Sequence, residues 1–233
     1  MHIPDGILPL SVAAAGYVTT GGLTWFSLRR IRQTVDDVQA QVPKAALLTA
    51  AFFIASWIHI PVPPTSVHLI LNGLLGVVLG FYAIPAILIG LFLQAVMFQH
   101  GGLTTLGVNT TMMGLPALLA YFIFQLRLPL GKQNDRLWTG IFGFLAGGIG
   151  LGAAAALAFF ILVSTIPANI DVAQERTAIT ALILGHVPLM FIEGTLTAML
   201  VTFLQRVRPE LIGSTAEKPV AEPAEPLPVA GGK

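Results

Sequence analysis

Apolar residues follow one another along most of this chain without the regular polar interruptions of a surface helix, and charges, Pro or Gly break them into runs. Seven runs predict helices near 7–28, 45–60, 66–81, 84–99, 106–126, 137–165 and 178–205, each with the composition of a membrane span. The second, third and fourth are short, about 16 residues each. That length predicts partly spanning or tilted helices joined by irregular backbone, which is tolerated at membrane depth only where it is buried in protein or lines a cavity. Pro61, Pro63 and Pro64 mark one such break. From Ser214 to Lys233 the pattern gives way to Pro, Ala and Glu, a composition that cannot bury a core and predicts disorder. The expected fold is all-α: a polytopic membrane helical bundle of about seven spans, with a membrane-embedded domain at 1–208 and a disordered cytoplasmic tail at 209–233.

Composition sharpens this picture. The 233 residues are 55% hydrophobic and 10% charged, with a mean hydropathy of +0.82, whereas a soluble domain carries about 25% charged residues. A soluble globular enzyme is excluded. Twelve Lys and Arg nearly balance eleven Asp and Glu with no basic cluster, so nucleic acid is not an expected partner. Cysteine is absent, which leaves nitrogen and oxygen as the only donors for a transition metal. No basic residue precedes the first run, while Arg29, Arg30 and Arg32 follow it; this argues against a cleavable signal and sets the N-terminus outside. Seven spans from that start put every Lys and Arg except Arg176 on the cytoplasmic side, with the C-terminus. The same topology gathers His2, His59, His68, His100 and His186 toward the outer side, although any one of them also fits an interfacial or interhelical role.

Several patterns have candidate chemistry. In Met1-His2-Ile3-Pro4-Asp5-Gly6 a free α-amine, the next amide nitrogen and an imidazole are neighbours. If a metal displaces the amide proton, amine and amide close a five-membered ring, and amide and imidazole Nδ1 a six-membered one. A fourth nitrogen completes a square plane, the arrangement associated with Ni(II) or Cu(II), and binding that releases protons weakens at low pH. A histidine beside a start codon also fits no metal at all. Pro4 would stiffen the exit from such a chelate, and Asp5 would accept hydrogen bonds near it. His68 is the best fourth donor, on a helix capped by Ser66 after the stiff Pro63-Pro64 loop, with Asn72 one turn further on the same face; a histidine at the water interface is the alternative. Gln94, Gln99, His100, Thr104, Thr105, Asn109, Thr110 and Thr111 form a polar stretch in hydrocarbon surroundings, readable as support for a site or as a loop that bonds two helices together. His186 and Glu193 share a helix face with Pro188 as a kink between them, and predict a buried pair. Small residues four apart, at Gly76/Gly80, Gly143/Gly147, Ala146/Gly150 and Gly148/Gly152, predict close helix packing inside the bundle, a docking face for another membrane subunit being the alternative.

At Met1-His2-Ile3-Pro4-Asp5-Gly6, Thr65-Ser66-Val67-His68-Leu69 and the stretch His100 to Thr110, the sequence resembles the substrate-binding membrane component of the energy-coupling-factor nickel and cobalt transporters, over about residues 1–205. The resemblance implies that the metal is held by the amine of Met1, the amide and imidazole of His2, and His68, with the stretch around His100 and Asn109 as support rather than ligation. Asp5, Asn72, Gln94 and Thr110 complete the supporting set. It further implies uptake of Ni(II) or Co(II) as substrate, with no organic cofactor, across a prokaryotic cell membrane. The implied partners are a membrane coupling protein, two cytoplasmic ATPases and, in some members, a small companion membrane subunit. No P-loop of the form G-x-x-x-x-G-K-[ST] occurs, so the chain is expected to be a transport component and not an enzyme. An organic-solute or vitamin component is the competing reading. It would need a large aromatic-lined pocket, and Trp25, Trp57 and Trp138 lie on three different helices. A membrane metalloprotease is a poorer one, since no H-E-x-x-H occurs.

Overall fold

A computed structural model describes residues 2–62, 65–130, 136–166 and 172–212; Met1, Pro63, Pro64 and the predicted tail beyond Ile212 lie outside them. Among the described residues the helices are α1 (Leu10–Thr34), α2 (Val38–Ala55), α3 (Asn72–Leu79), α4 (Ala83–Phe98), α5 (Leu106–Gln125), the short α6 (Arg127–Leu130), α7 (Arg136–Ser164), α8 (Val172–Leu184) and α9 (His186–Val207). Five stretches are long and apolar enough to cross a membrane: Val38–Ala55, Asn72–Phe98, Leu106–Pro129, Arg136–Ser164 and Ala173–Val207. The chain is thus a polytopic helical bundle, as its apolar runs predict, with five candidate spans among the described residues where about seven are predicted.

Three boundaries differ from the expected ones, each for a local reason. The predicted helix at 66–81 begins only at Asn72, because Thr65–His68 is strand β2, paired antiparallel with β1 (His59–Val62) in the register His59 to His68 and Val62 to Thr65. Pro61 holds β1 extended with its fixed φ, and the apolar character that reads as helix is here that of a pair of strands. Ser66 therefore lies in a strand opposite Pro61 and caps no helix, and Asn72 is not one helical turn beyond His68. The third and fourth predicted runs, α3 and α4, are one 27-residue apolar stretch broken at Gly80, whose φ of +56° ends α3. The last predicted helix is two, α8 and α9, separated at Gly185 rather than at Pro188. Pro188 has no amide to bond the Leu184 carbonyl, so the helical ladder is interrupted one turn before the proline itself.

Glycines bring the helices together. A Cβ at Gly147 on α7 would lie 2.8 Å from the Glu193 carbonyl of α9, one at Gly73 on α3 2.7 Å from the Ala146 carbonyl of α7, and one at Gly150 2.9 Å from the Gly73 Cα. Gly143 faces the Ala198 backbone of α9 in the same way, and Gly152 receives the Met190 side chain. The small-residue stripe of α7 is thus used by packing within the bundle, where backbones approach without side chains between them. At one end of the molecule a cavity of about 480 Å³ is lined by Thr34, Asp37, Lys44, Gly80, Gln125 and Ile212. The N-terminal segment lies elsewhere, against α7 and α8.

Candidate metal centre

The residues before α1 are tied down by side chains of the α4–α5 loop and of α5. The Ile3 amide donates to Asn109 Oδ1 (2.9 Å), and Asn109 Nδ2 donates back to the Ile3 carbonyl (3.0 Å), which also accepts from Thr105 Oγ1 (2.6 Å). One asparagine therefore pairs both backbone groups of a residue 106 positions away, as a neighbouring strand would. Ile3 is buried in the core beneath. The Asp5 carboxylate accepts from the Thr104 hydroxyl and from the amides of Thr104 (2.8 Å) and Leu103 (3.2 Å).

Those bonds, the Thr104 hydroxyl first, hold the Asp5 carboxyl below the usual carboxylate range. A depressed carboxylate adds stability above its ordinary value, and the contribution disappears as the pH falls through the folded value. The anchor is therefore intact at neutral pH and released only in acid. Two glycines permit it: Gly101 takes a φ of +83°, and a Cβ at Gly102 would run into the Asp5 carboxylate.

This anchoring seats His2 between two other imidazoles. Its ring stacks on that of His68, with centroids 5.0 Å apart and planes 19° from parallel, and meets His100 edge-on at 4.4 Å; His68 and His100 are 5.3 Å apart. Each of the three offers one nitrogen, and these nitrogens all lie within 4.8 Å of one another. Both ring nitrogens of His2 are buried and, the Gln94 side chain apart, have no hydrogen-bond partner among the described residues. Buried polar groups almost always have partners, so these stand out as donors awaiting one. Burial, together with like charge at His68 and His100, pushes the His2 imidazole well below its ordinary pKa, which keeps it in the neutral form that binds metal. His68 is 5% exposed, and its Nδ1 lies 2.9 Å from the Leu69 carbonyl. With Nδ1–H donating there, Nε2 carries the lone pair, the usual way in which a ligating histidine is oriented. Trp57 packs its ring 6.5 Å from His100 and 4.6 Å from Phe98, walling the cluster on one side.

The predicted site residues separate into three groups. His2, His68 and His100 come together as the cluster, and Asp5 and Asn109 hold its N-terminal segment. Met1 lies outside the described residues. Asn72, Gln94 and Thr110 are fully buried; Asn72 is used in helix packing, its Nδ2 donating to the Gly150 carbonyl (3.0 Å), whereas Gln94 donates Nε2 to Ser56 Oγ (3.0 Å) and its side chain also reaches the His2 imidazole. Thr105, rather than Thr110, supplies the α5 hydroxyl that reaches Ile3. His186 and Glu193 do not pair. His186 Nδ1 meets the Leu182 carbonyl at 2.8 Å, and Glu193 accepts from the amides of Ile70 and Leu71. Trp57 and Leu103 are the neighbours that sequence reading missed; the aromatic just ahead of the His59 hairpin was the available signal for the first, and nothing in the sequence marks a backbone donor such as Leu103.

Fold and site together define a multi-pass helical membrane protein whose nitrogen donors are gathered beneath its own N-terminal segment. The family model described as "cobalt uptake substrate-specific transmembrane region" matches residues 2–211, and the chain belongs to that family. A protein of Haemophilus influenzae named for metal transport is 37% identical, over 92% of this chain and 98% of its own length. The cobalt transport protein CbiM of Sorangium cellulosum is 30% identical, over 91% and 94%. The fused nickel transport protein NikMN of Rhodobacter capsulatus is 31% identical over 91% of this chain and 64% of that longer protein. A crystal structure of a truncated transition metal transporter superposes with a TM-score of 0.73 at 26% identity, covering 89% of this chain and 99% of the other. The chain is accordingly a prokaryotic multi-pass membrane protein of a family that serves cobalt and nickel transport.

Proposed function

We propose that this chain is the substrate-binding component of an energy-coupling-factor importer and that its cargo is Ni(II) or Co(II), bound from outside by the amine of Met1, the amide and imidazole of His2, and the imidazole of His68. The observation that carries the reading is the buried convergence of three imidazole nitrogens within 4.8 Å, two of them on His2 and His68. His100 stands edge-on to both and supports the cargo from the side. Nitrogen-only donors in a chain without cysteine favour nickel, with cobalt next, over magnesium or calcium. The energy comes from separate subunits: a membrane coupling protein, two cytoplasmic ATPases and, where required, a small companion membrane subunit. The absence of a P-loop supports that division.

The vitamin reading is the weaker. The cavity beside His2 has a volume of about 280 Å³ and no aromatic residue in its lining, whereas pockets for organic ligands of drug size run to about 300–1,000 Å³ with aromatic walls. Thermal unfolding of the detergent-solubilised protein separates the two: micromolar NiCl2 is expected to raise the midpoint by several degrees and a panel of vitamins to leave it unchanged. Stabilisation by a vitamin and not by nickel would reverse the assignment. Asp5→Ala, which releases the N-terminal segment, is expected to weaken Ni(II) binding about tenfold in a calorimetric titration, the effect usual for a group that orients a ligand. Full affinity would show that the anchor is dispensable.

A further inference from the structure

Glu193 is 1% exposed on α9, in the interior of a membrane bundle, where a carboxyl group is retained only with partners. Its partners are two consecutive backbone amides: Glu193 Oε1 accepts from Ile70, and Oε2 accepts from Leu71 at 3.0 Å. The chain turns sharply directly after these two amides, where Leu71 has a φ of +58°, a left-handed conformation that a bulky residue adopts only when its surroundings impose it. The segment gripped in this way is the short connection between β2, which ends at His68, and α3, which begins at Asn72. The next residue along the chain from His68, Leu69, supplies the carbonyl that orients the His68 ring through Nδ1. Asn72 secures the far side of the connection to α7 through the Gly150 carbonyl.

We propose that Glu193 is a positioning residue for the cargo ligand His68. By clamping residues 70 and 71 it fixes where β2 ends, and so the direction in which the His68 ring faces His2. The grip comes from the last long helix of the bundle, more than 120 residues from the ligand it serves. This rests on His68 holding the cargo, as proposed above. A carboxylate suits the place because it accepts two amides at once at the N-terminus of α3, where the helix end favours negative charge; a glutamine keeps one carbonyl acceptor, and an alanine none.

The test uses full-length protein in detergent, titrated with NiCl2 and followed by calorimetry and by the ligand-field absorption of the bound ion. Glu193→Ala is expected to weaken Ni(II) about 10- to 100-fold and to shift the absorption band toward that of His68→Ala. Glu193→Gln, which keeps one of the two acceptors, is expected to bind two- to tenfold more weakly than wild type, short of the loss in Glu193→Ala, and to restore most of the band. In the His68→Ala background, Glu193→Ala should bring no further loss, since the ligand it orients is already gone. Wild-type affinity and absorption in Glu193→Ala would overturn the proposal, as would a full additional loss in the double variant. If Glu193→Ala does not fold, Glu193→Gln decides alone: binding two- to tenfold weaker supports the proposal and wild-type binding overturns it. Undiminished binding in His68→Ala would instead overturn the metal-site reading itself, and this inference with it.

Discussion

Two residues added ahead of Met1 are expected to abolish stoichiometric Ni(II) binding while leaving the bundle folded. The extension converts the amine of Met1 into an amide, so the five-membered ring that it forms with the His2 amide nitrogen loses its outer donor. Four-donor sites for a divalent metal are worth about 10–16 kcal/mol, or roughly 3 kcal/mol per donor, and each 1.4 kcal/mol is tenfold. Losing one donor therefore reduces affinity on the order of 100-fold, enough to empty the site during purification. His2→Ala leaves the five-membered ring in place but removes the six-membered one with its imidazole, and is expected to be as severe. Mass-spectrometric metal content per chain reads both, and a full complement of nickel in the extended protein would refute the chelate.

The second large effect is expected at His68. Its imidazole is the donor proposed to complete the plane, it is almost fully buried, and the Leu69 carbonyl fixes its orientation. His68→Ala should again reduce Ni(II) affinity on the order of 100-fold, from the same loss of one donor in four. His100→Ala should cost about tenfold, the effect of removing support around a ligand, because its ring meets the other two edge-on instead of extending their stack. Calorimetric titration of the two variants side by side measures the difference. Equal losses would make His100 a ligand in its own right, and a larger loss at His100 would exchange the two roles.

The spans were legible because hydrocarbon leaves few ways to satisfy a backbone, and long apolar runs such as those of α5 and α7 have only the helix open to them. The pairing of His59–Val62 with Thr65–His68 was not, since a short apolar run has no periodicity that separates strand from helix. That one error moved Asn72 from the site to helix packing. His2 and His68 could be singled out from donor chemistry, each on its own segment. Their meeting with His100 could not, because it depends on Asn109 pairing with Ile3 and on a left-handed Gly101, contacts that no local pattern encodes. Glu193 illustrates the same limit: its burial was foreseeable from its position in a span, but its partners are main-chain amides that carry no signature of residue type.

Anomalous diffraction at the nickel edge, from crystals of the loaded full-length protein, bears most directly on the proposed centre. The expected map has one peak bonded to the Met1 amine, the His2 amide nitrogen and the imidazoles of His2 and His68. A peak held by imidazoles alone, with the Met1 amine acylated, removed or out of bonding distance, would contradict it.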